Sequence, residues 1–355
     1  MKIFILHSRL SGYMAACWRE LAQAHNVDIV ACIWPNQHDA PFDESGFTGI
    51  GQLLDRREET SETLLAKINE FKPDAILTSG WIDKDYVKVC KAIKGTGIPI
   101  IAGSDTQWKG SLRQKIASFI SPLHVQQIFD AIWVSGERQR QFAKNLGFEG
   151  HKCWDGYYAC DYNNFVTAGN AVNFEERSGF ITVGRLVPVK GLDTLAKAYS
   201  IYRERVSEPW GLNVIGAGPE SAPLEAAGAN MVGFIQPSEL PAMMAKSKCF
   251  ILPSRFEPWG VVVQEAACTG LPLIISDKCG ASVHLLRDRW NGRSFHSESV
   301  DELVESMIWI HEQTEERHKE LGANSKKLGE QYTPSRWSQS LIEGIGSLLA
   351  HAGIE

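Results

Sequence analysis

Residues 248–276 read KCFILPSRFEPWGVVVQEAACTGLPLIIS. An unbroken apolar run, KCFILP, gives way to a polar turn and then to a stretch of helical length that stops at Gly270 and Pro272. A second apolar run, LPLIIS, follows at once. Short apolar runs of this kind are strands buried on both faces, and one on either side of a helix makes the repeating unit of a parallel sheet. Pro258 suits the first turn of the helix and Gly270 its end, which predicts helix over residues 258–268.

The same alternation extends in both directions. Upstream, KIFILH, VDIVACIW, DAILTSG, IPIIAG and DAIWVSG read as strands, with helical patterns such as GYMAACWRELAQAH and ETSETLLAKINEF between them. A fresh set follows: SGFITVGR, GLNVIGAG, NMVGF, KCFILPS and LPLIISD. The polar stretch 161–178 between the two sets has little periodicity and reads as a linker. A chain of 355 residues exceeds what one hydrophobic core usually supports, about 250–300 residues. The expected architecture is therefore two doubly wound parallel-sheet α/β domains, 1–165 and 166–332, facing a cleft, then a final amphipathic helix in 333–355 that starts after a Pro. Ligands of such sheets lie beyond the carboxyl ends of the strands, so the loops there hold the candidate site.

Composition removes several classes. The net charge of −6 comes from 36 basic and 42 acidic side chains, and neither half of the chain is basic. That excludes a nucleic-acid partner bound by phosphate neutralisation. The eight cysteines are scattered without a CxxC pair, which argues against a zinc module or a disulfide framework and for a reducing, cytoplasmic setting. No metal cluster and no GxxxxGK[ST] loop occurs, and Gly216-Ala217-Gly218-Pro219 is only half of a dinucleotide fingerprint.

Two constellations carry chemistry. After KCFILP come Glu257 and, eight residues on, Glu265. On the expected helix they stand two turns apart, about 12 Å, too far for two carboxylates flanking one glycosidic bond. Such spacing fits acceptors that grip opposite ends of a long ligand, with an anion favoured between them at the helix start. Alternatively, Glu257 is a residue favoured by the helix dipole and Glu265 a surface charge. After GFITV comes Gly184-Arg185-Leu186-Val187-Pro188-Val189-Lys190-Gly191-Leu192-Asp193. Arg185 offers a planar fork and Lys190 a point charge, a phosphate clamp unless the loop is simply an exposed one.

Taken together, GRLVPVKGLDTLAKAY, GAGPE, FEPWGVVVQEAACTGLPLIIS and DRWNGRSF resemble the retaining GT-B glycosyltransferases of the "glycosyl transferases, group 1" family. The resemblance covers about half of the chain, from 179 to 295, with weaker echoes upstream. It implies two Rossmann-like domains and a C-terminal helix in 333–355 that packs back on the first. Residue by residue it implies that Arg185 and Lys190 hold the diphosphate of a nucleotide-sugar and that Glu265 accepts from ribose hydroxyls. Glu257 would contact the donor sugar, with the backbone of Pro258, Trp259, Gly260 and Val261 helping. Ile235 would lie beside the base, and Gly12 would let the first domain's backbone approach the diphosphate. Two departures stand out: Asp105 occupies the region where the family often has a His, and Cys279-Gly280-Ala281-Ser282 replaces its "GG-x-P-E".

The expected function is transfer of a sugar from a UDP- or GDP-linked donor to a saccharide or lipid-linked saccharide, with retention and without a metal or other cofactor, in polysaccharide or glycoconjugate synthesis. Catalysis would fall to Arg185, Lys190, Glu257 and Asp105. A nucleotide-sugar epimerase or phosphorylase on the same scaffold, and a sugar-nucleotide sensor, remain alternatives. His7, Trp81 and Trp108 follow or end first-domain strands and are candidates for acceptor contact. The segment 108–122, WKGSLRQKIASFISP, reads as an amphipathic helix against the sheet, with peripheral contact to the cytoplasmic face of a membrane as the other reading. Asp83-Lys84-Asp85 reads as an accidental D-x-D rather than a metal site.

Overall fold

The structure, a computed structural model, describes residues 1–35 and 47–353. The chain divides into two units: Met1–Ala159 with Thr333–Glu355, and Cys160–Tyr332.

The first unit holds β1 (Lys2–Arg9), β2 (Asp28–Trp34), β3 (Gln52–Asp55), β4 (Ala75–Thr78), β5 (Ile100–Ser104), β6 (Ala131–Val134) and β7 (Cys153–Asp155). They form one parallel sheet in the order β3-β2-β1-β4-β5-β6-β7. Helices α1 (Gly12–Ala24), α2 (Ser61–Phe71), α3 (Lys84–Ile93), α4 (Leu112–Ile120) and α5 (Glu137–Asn145) connect the strands. Alternate residues of β1 feed opposite faces: Ile3 and Ile5 pack with Trp18 and Leu21 of α1, while Phe4 and Leu6 pack with Leu64 and Ile68 of α2. Both faces are therefore covered, which is why β1 reads as continuous apolar sequence instead of alternating.

The second unit begins with α6 (Tyr162–Ala171), then runs through β8 (Phe180–Val183), α7 (Leu192–Arg205), β9 (Leu212–Ile215), α8 (Ala222–Ala226), β10 (Asn230–Gly233), α9 (Leu240–Ala245), β11 (Cys249–Leu252), α10 (Val261–Thr269), β12 (Leu273–Ser276), α11 (Ser282–Leu285), β13 (Gly292–Phe295), α12 (Val300–His311) and α13 (Glu315–Gly329). Its parallel sheet is ordered β10-β9-β8-β11-β12-β13. The chain lays β9 and β10 on one side of β8, then returns to place β11 on the other. The strand order thus reverses between β8 and β11, where a crevice opens at the carboxyl ends.

The sequence reading differs from the structure in three places. Residues 161–178 are no linker: α6 occupies most of them, and Gly169 lies so close to Thr269 that a Cβ would stand 2.2 Å from its carbonyl oxygen. Arg177 secures the contact by donating to the carbonyls of Gly169 (2.6 Å) and Gly270 (3.4 Å). Short strands β3, β7 and β13 escape pattern reading because their sequences, QLLD, CWD and GRSF, are interrupted by polar residues and are not continuous apolar runs. Pro258 does not open a helix. The backbone of Glu257–Trp259 pairs with 278–281 instead (Glu257 N to Lys278 O 3.2 Å, Gly280 N to Glu257 O 3.0 Å, Ala281 N to Trp259 O 2.9 Å), and α10 starts three residues later.

The last helix, α14 (Pro334–His351), starts at a Thr333 cap and belongs to the first unit. Trp337 stacks on Trp133 of β6 at 4.8 Å and donates its Nε1–H to the Tyr157 carbonyl at 2.8 Å. Gly344 is needed beside the Trp154 indole, which a Cβ would meet at 2.5 Å. Both stacked indoles are buried. Trp337→Ala should therefore cost about 3–5 kcal/mol of unfolding free energy in urea titration, the range for emptying a large aromatic site; a loss under about 1 kcal/mol would contradict this account.

Candidate functional site

The crevice between β8 and β11 is built from two loops, 184–191 and 253–260. Arg185, Lys190 and Leu186 of the first, with Pro253 of the second, line a small pocket there, floored by Thr182, Ile215 and Leu252. Each loop ends in a glycine with left-handed backbone that starts a helix without any side-chain cap: Gly191 (φ 66°) before α7 and Gly260 (φ 96°) before α10. Gly191 also lies against Pro253, whose carbonyl oxygen a Cβ would meet at 2.3 Å, so the two loops touch through backbone. Both helix starts turn a positive dipole end toward the crevice, favourable to an anion, although at α7 the Asp193 carboxylate already accepts from the N–H groups of Asp193 and Thr194.

Lys190 and Glu257 form an ion pair across the two loops, with side chains mostly buried. Ser254 Oγ also donates to the Glu257 carboxylate, at 3.4 Å. Arg185 is exposed, and none of the described residues pairs with its guanidinium. The expected clamp residues are thus brought together, but Lys190 is held by the carboxylate that the sequence reading places on a different part of the ligand.

Glu265 lies in α10, half-buried, and none of the described residues donates to its carboxylate. Burial, with the Asp161 carboxylate adding to it, pushes its pKa from the ordinary 4.5 up to about 8. Ile235 follows the β10 end at Gly233 and is half-buried. Val261 is the first residue of α10, and Pro258 is half-buried. Trp259 is buried at 2% exposure, its ring against Tyr332 and His284. Its Nε1–H is buried without a partner among the described residues.

Two supports escape the sequence reading. Arg255 donates to both carboxylate oxygens of Asp193 (2.7 Å each), to Glu298 Oε1 (2.9 Å) and to the Pro188 carbonyl (2.6 Å), which ties the 253–260 loop to the turn that carries Lys190. A signal for it exists in the sequence: an Arg beside Glu257, and an Asp in the first turn of the helix after Lys190. Gly216 and Gly218, only half of a fingerprint by sequence, are also used. A Cβ at Gly216 would stand 1.9 Å from the Gly184 carbonyl oxygen, and one at Gly218 2.3 Å from that of Leu186. These glycines let the β9 loop back the Arg185 loop.

The first-unit candidates stand as follows. Gly12 is the first residue of α1, a helix that Ser11 caps. Asp105 follows β5, is half-buried and accepts from Tyr158 Oη at 3.5 Å. His7 lies in β1 at 5% exposure, edge-on to Trp18; burial lowers its pKa to about 4, and its Nδ1 has no partner among the described residues. Trp81 packs beside Phe129 and Trp108 stacks on Phe142, so both indoles serve the core on one face. Asp83 and Asp85 both pair with Arg56, and Asp83 caps α3.

Residues 169–328 match the family described as "Glycosyl transferases group 1". The carboxy-terminal unit is a group 1 glycosyltransferase domain. Relatives of this chain include an "Uncharacterized 41.2 kDa protein in cps region" of Klebsiella pneumoniae, 23% identical over 65% of this chain and 56% of that protein. Another is the "GDP-mannose-dependent alpha-(1-6)-phosphatidylinositol monomannoside mannosyltransferase" of Mycobacterium tuberculosis, 30% identical over 37% of this chain and 38% of that protein. The match thus spans about half or less of these relatives. Across 98% of this chain and all of the other, the fold is similar to that of Anabaena Alr3699/HepE in complex with UDP, with a TM-score of 0.75 at 14% identity. The two parallel-sheet units are those of the GT-B architecture.

The raised Glu265 pKa has a consequence for stability. Unfolding returns this carboxyl from about 8 to 4.5, so between those values the folded state binds more protons than the unfolded one. Its contribution to stability is complete below pH 4.5 and is lost as pH rises through about 8. Glu265→Gln, which cannot ionise, should therefore gain melting temperature over the wild type progressively from about pH 5 to pH 9; parallel curves across that range would contradict the burial.

Proposed function

We propose that the protein transfers a sugar from a UDP- or GDP-linked donor to a saccharide or lipid-linked saccharide, with retention at the anomeric carbon and without a metal ion, in polysaccharide or glycoconjugate synthesis. The observation that carries this reading is the Lys190–Glu257 pair at the β8/β11 crevice, flanked by the exposed Arg185 and by two uncapped helix starts. The similar proteins agree with it: one relative is named for a GDP-linked donor, and one structural neighbour was solved with UDP.

In the resting site Glu257 neutralises Lys190. A bound donor exchanges that contact: its diphosphate takes Lys190 and Arg185, and its sugar hydroxyls donate to Glu257. Glu265, desolvated and unengaged by the described residues, accepts from the ribose hydroxyls. As the bond between the anomeric carbon and the β-phosphate oxygen breaks, the electron pair goes to that oxygen. Charge-assisted hydrogen bonds contribute about 1.5–3 kcal/mol each and a helix start up to about 2, on the order of 5–8 kcal/mol together. Proximity in a substrate-filled site supplies about 7–11 more. The acceptor hydroxyl enters on the same face and passes its proton to the departing phosphate oxygen. Asp105, in the first unit, is a candidate to orient that acceptor.

Incubation with UDP- and GDP-sugars, with free nucleoside diphosphate and product read separately, tests the assignment. One donor should turn over, and EDTA should leave the rate unchanged. Lys190→Ala should lower turnover about ten- to hundredfold with the fold intact, the loss of one charge-assisted contact. A wild-type rate in that variant would remove Lys190 from the reaction. NMR of the product should show the donor's anomeric configuration, and an inverted product would overturn the retaining mechanism.

A further inference from the structure

Helix α4 is mounted inside out. None of its residues is buried, although its sequence pattern points to packing against the sheet. Its half-buried side is made of Gln114, Ala117 and Ser118. Gln114 fixes that side by donating to the Gln107 carbonyl at 2.7 Å and accepting from the Lys109 N–H at 2.7 Å. The large apolar residues face outward: Leu112 is 73% exposed, Ile116 52%, Phe119 87% and Ile120 44%, and Leu123 just beyond the helix is 85% exposed. Their spacing follows successive helical turns, so they form one stripe.

An exposed apolar stripe of this size marks an interaction surface. The charges beside it select the partner. Lys109, Arg113 and Lys115 are all exposed, and no acidic residue occurs from 106 to 129, in a chain whose net charge is −6. We propose that α4 and Leu123 form a docking surface for an anionic phospholipid bilayer, with Phe119, Leu123 and Leu112 entering the boundary between headgroups and acyl chains while the cations meet lipid phosphates. Interfacial helices combine these two terms. A second copy of the chain fits less well, because a two-fold contact through α4 sets its cations against their own copies. The face also has a place in the fold. β4 and β5 are neighbours, so the loop after β4, where Ile82 is 94% exposed, leaves the same sheet edge as the segment leading to α4. That edge is where ligands of such sheets lie, so a bilayer held there presents its headgroups to the first unit. The proposal does not depend on sugar transfer.

The test is co-sedimentation of the full chain with vesicles of phosphatidylcholine alone and of phosphatidylcholine mixed with phosphatidylglycerol, at low and high salt. Binding should require phosphatidylglycerol and weaken with salt. The double variant Phe119→Ser/Leu123→Ser should lower the partition coefficient about tenfold or more, and Arg113→Glu/Lys115→Glu should do the same by charge alone. All four side chains are exposed, so melting temperatures should match the wild type. Absence of wild-type binding, equal binding to both vesicle types, or undiminished binding by either variant would overturn the proposal. So would a concentration-dependent dimer that Phe119→Ser/Leu123→Ser abolishes while vesicles bind nothing, since the surface would then be a contact between copies.

Discussion

Arg255 makes four donations into one place: two to Asp193, one to Glu298 and one to the Pro188 carbonyl. Planar guanidinium geometry suits a bidentate carboxylate, and Asp193 stands in the first turn of α7, immediately after the turn that carries Lys190. The Arg255 N–H also reaches the Val189 carbonyl at 2.8 Å. Two loops from neighbouring strands are thereby locked in register, and the side chains they carry, Lys190 and Glu257, meet. Without that lock, forming the pair would also have to fix the backbone of two separate loops. The cost of holding a cation and a carboxylate in a mostly buried crevice is met by the knot beside it.

Much of this arrangement is legible in the amino-acid sequence because it rests on pattern. Strands β1, β2, β4–β6 and β8–β12 are apolar runs with no alternative use, and glycines punctuate the loops after β8 and β9. What the sequence conceals are the relations set by tertiary contact. Nothing local shows that Glu257–Trp259 pairs with 278–281, yet that pairing delays α10 to Val261 and makes Gly260 its start. The same pairing gives Cys279-Gly280-Ala281, a departure from the resembled family, a structural role, because its backbone holds the loop of Glu257. Residues 161–178 look like a linker because Asn and Glu dominate them, whereas one small residue, Gly169, decides that α6 packs on the end of α10.

Helix α4 shows how far periodicity reaches. Its apolar stripe is correct as a stripe, and amphipathicity alone implies burial against the sheet. The polar anchor made by Gln114 with residues 107 and 109 turns that stripe outward, and no pattern in the helix itself records which side the anchor will hold. Direction is a property of the attachment, not of the helix.

The site is recognisable as one by its local penalties. Glu265 is a desolvated carboxylate that none of the described residues engages, the Trp259 Nε1–H is buried without a described partner, and two helices begin without caps within neighbouring loops. Of the other described helices, seven are capped by a side chain, Ser11, Thr60, Asp83, Ser111, Ser299, Thr314 and Thr333 each accepting a backbone N–H, while α5, α6, α8, α9 and α11 also start without such a cap. What sets α7 and α10 apart is their place: both start at a glycine in the loops of one crevice, beside the exposed Arg185 and at the carboxyl ends of the strands, where ligands of such sheets lie. The penalties also agree in sign with one kind of visitor. The positive helix ends and Arg185 call for negative charge, while the Glu265 carboxyl group, which none of the described residues engages, calls for hydroxyl partners. The donor proposed above has both parts: a diphosphate for the cation and helix ends, and sugar hydroxyls for the carboxyl group.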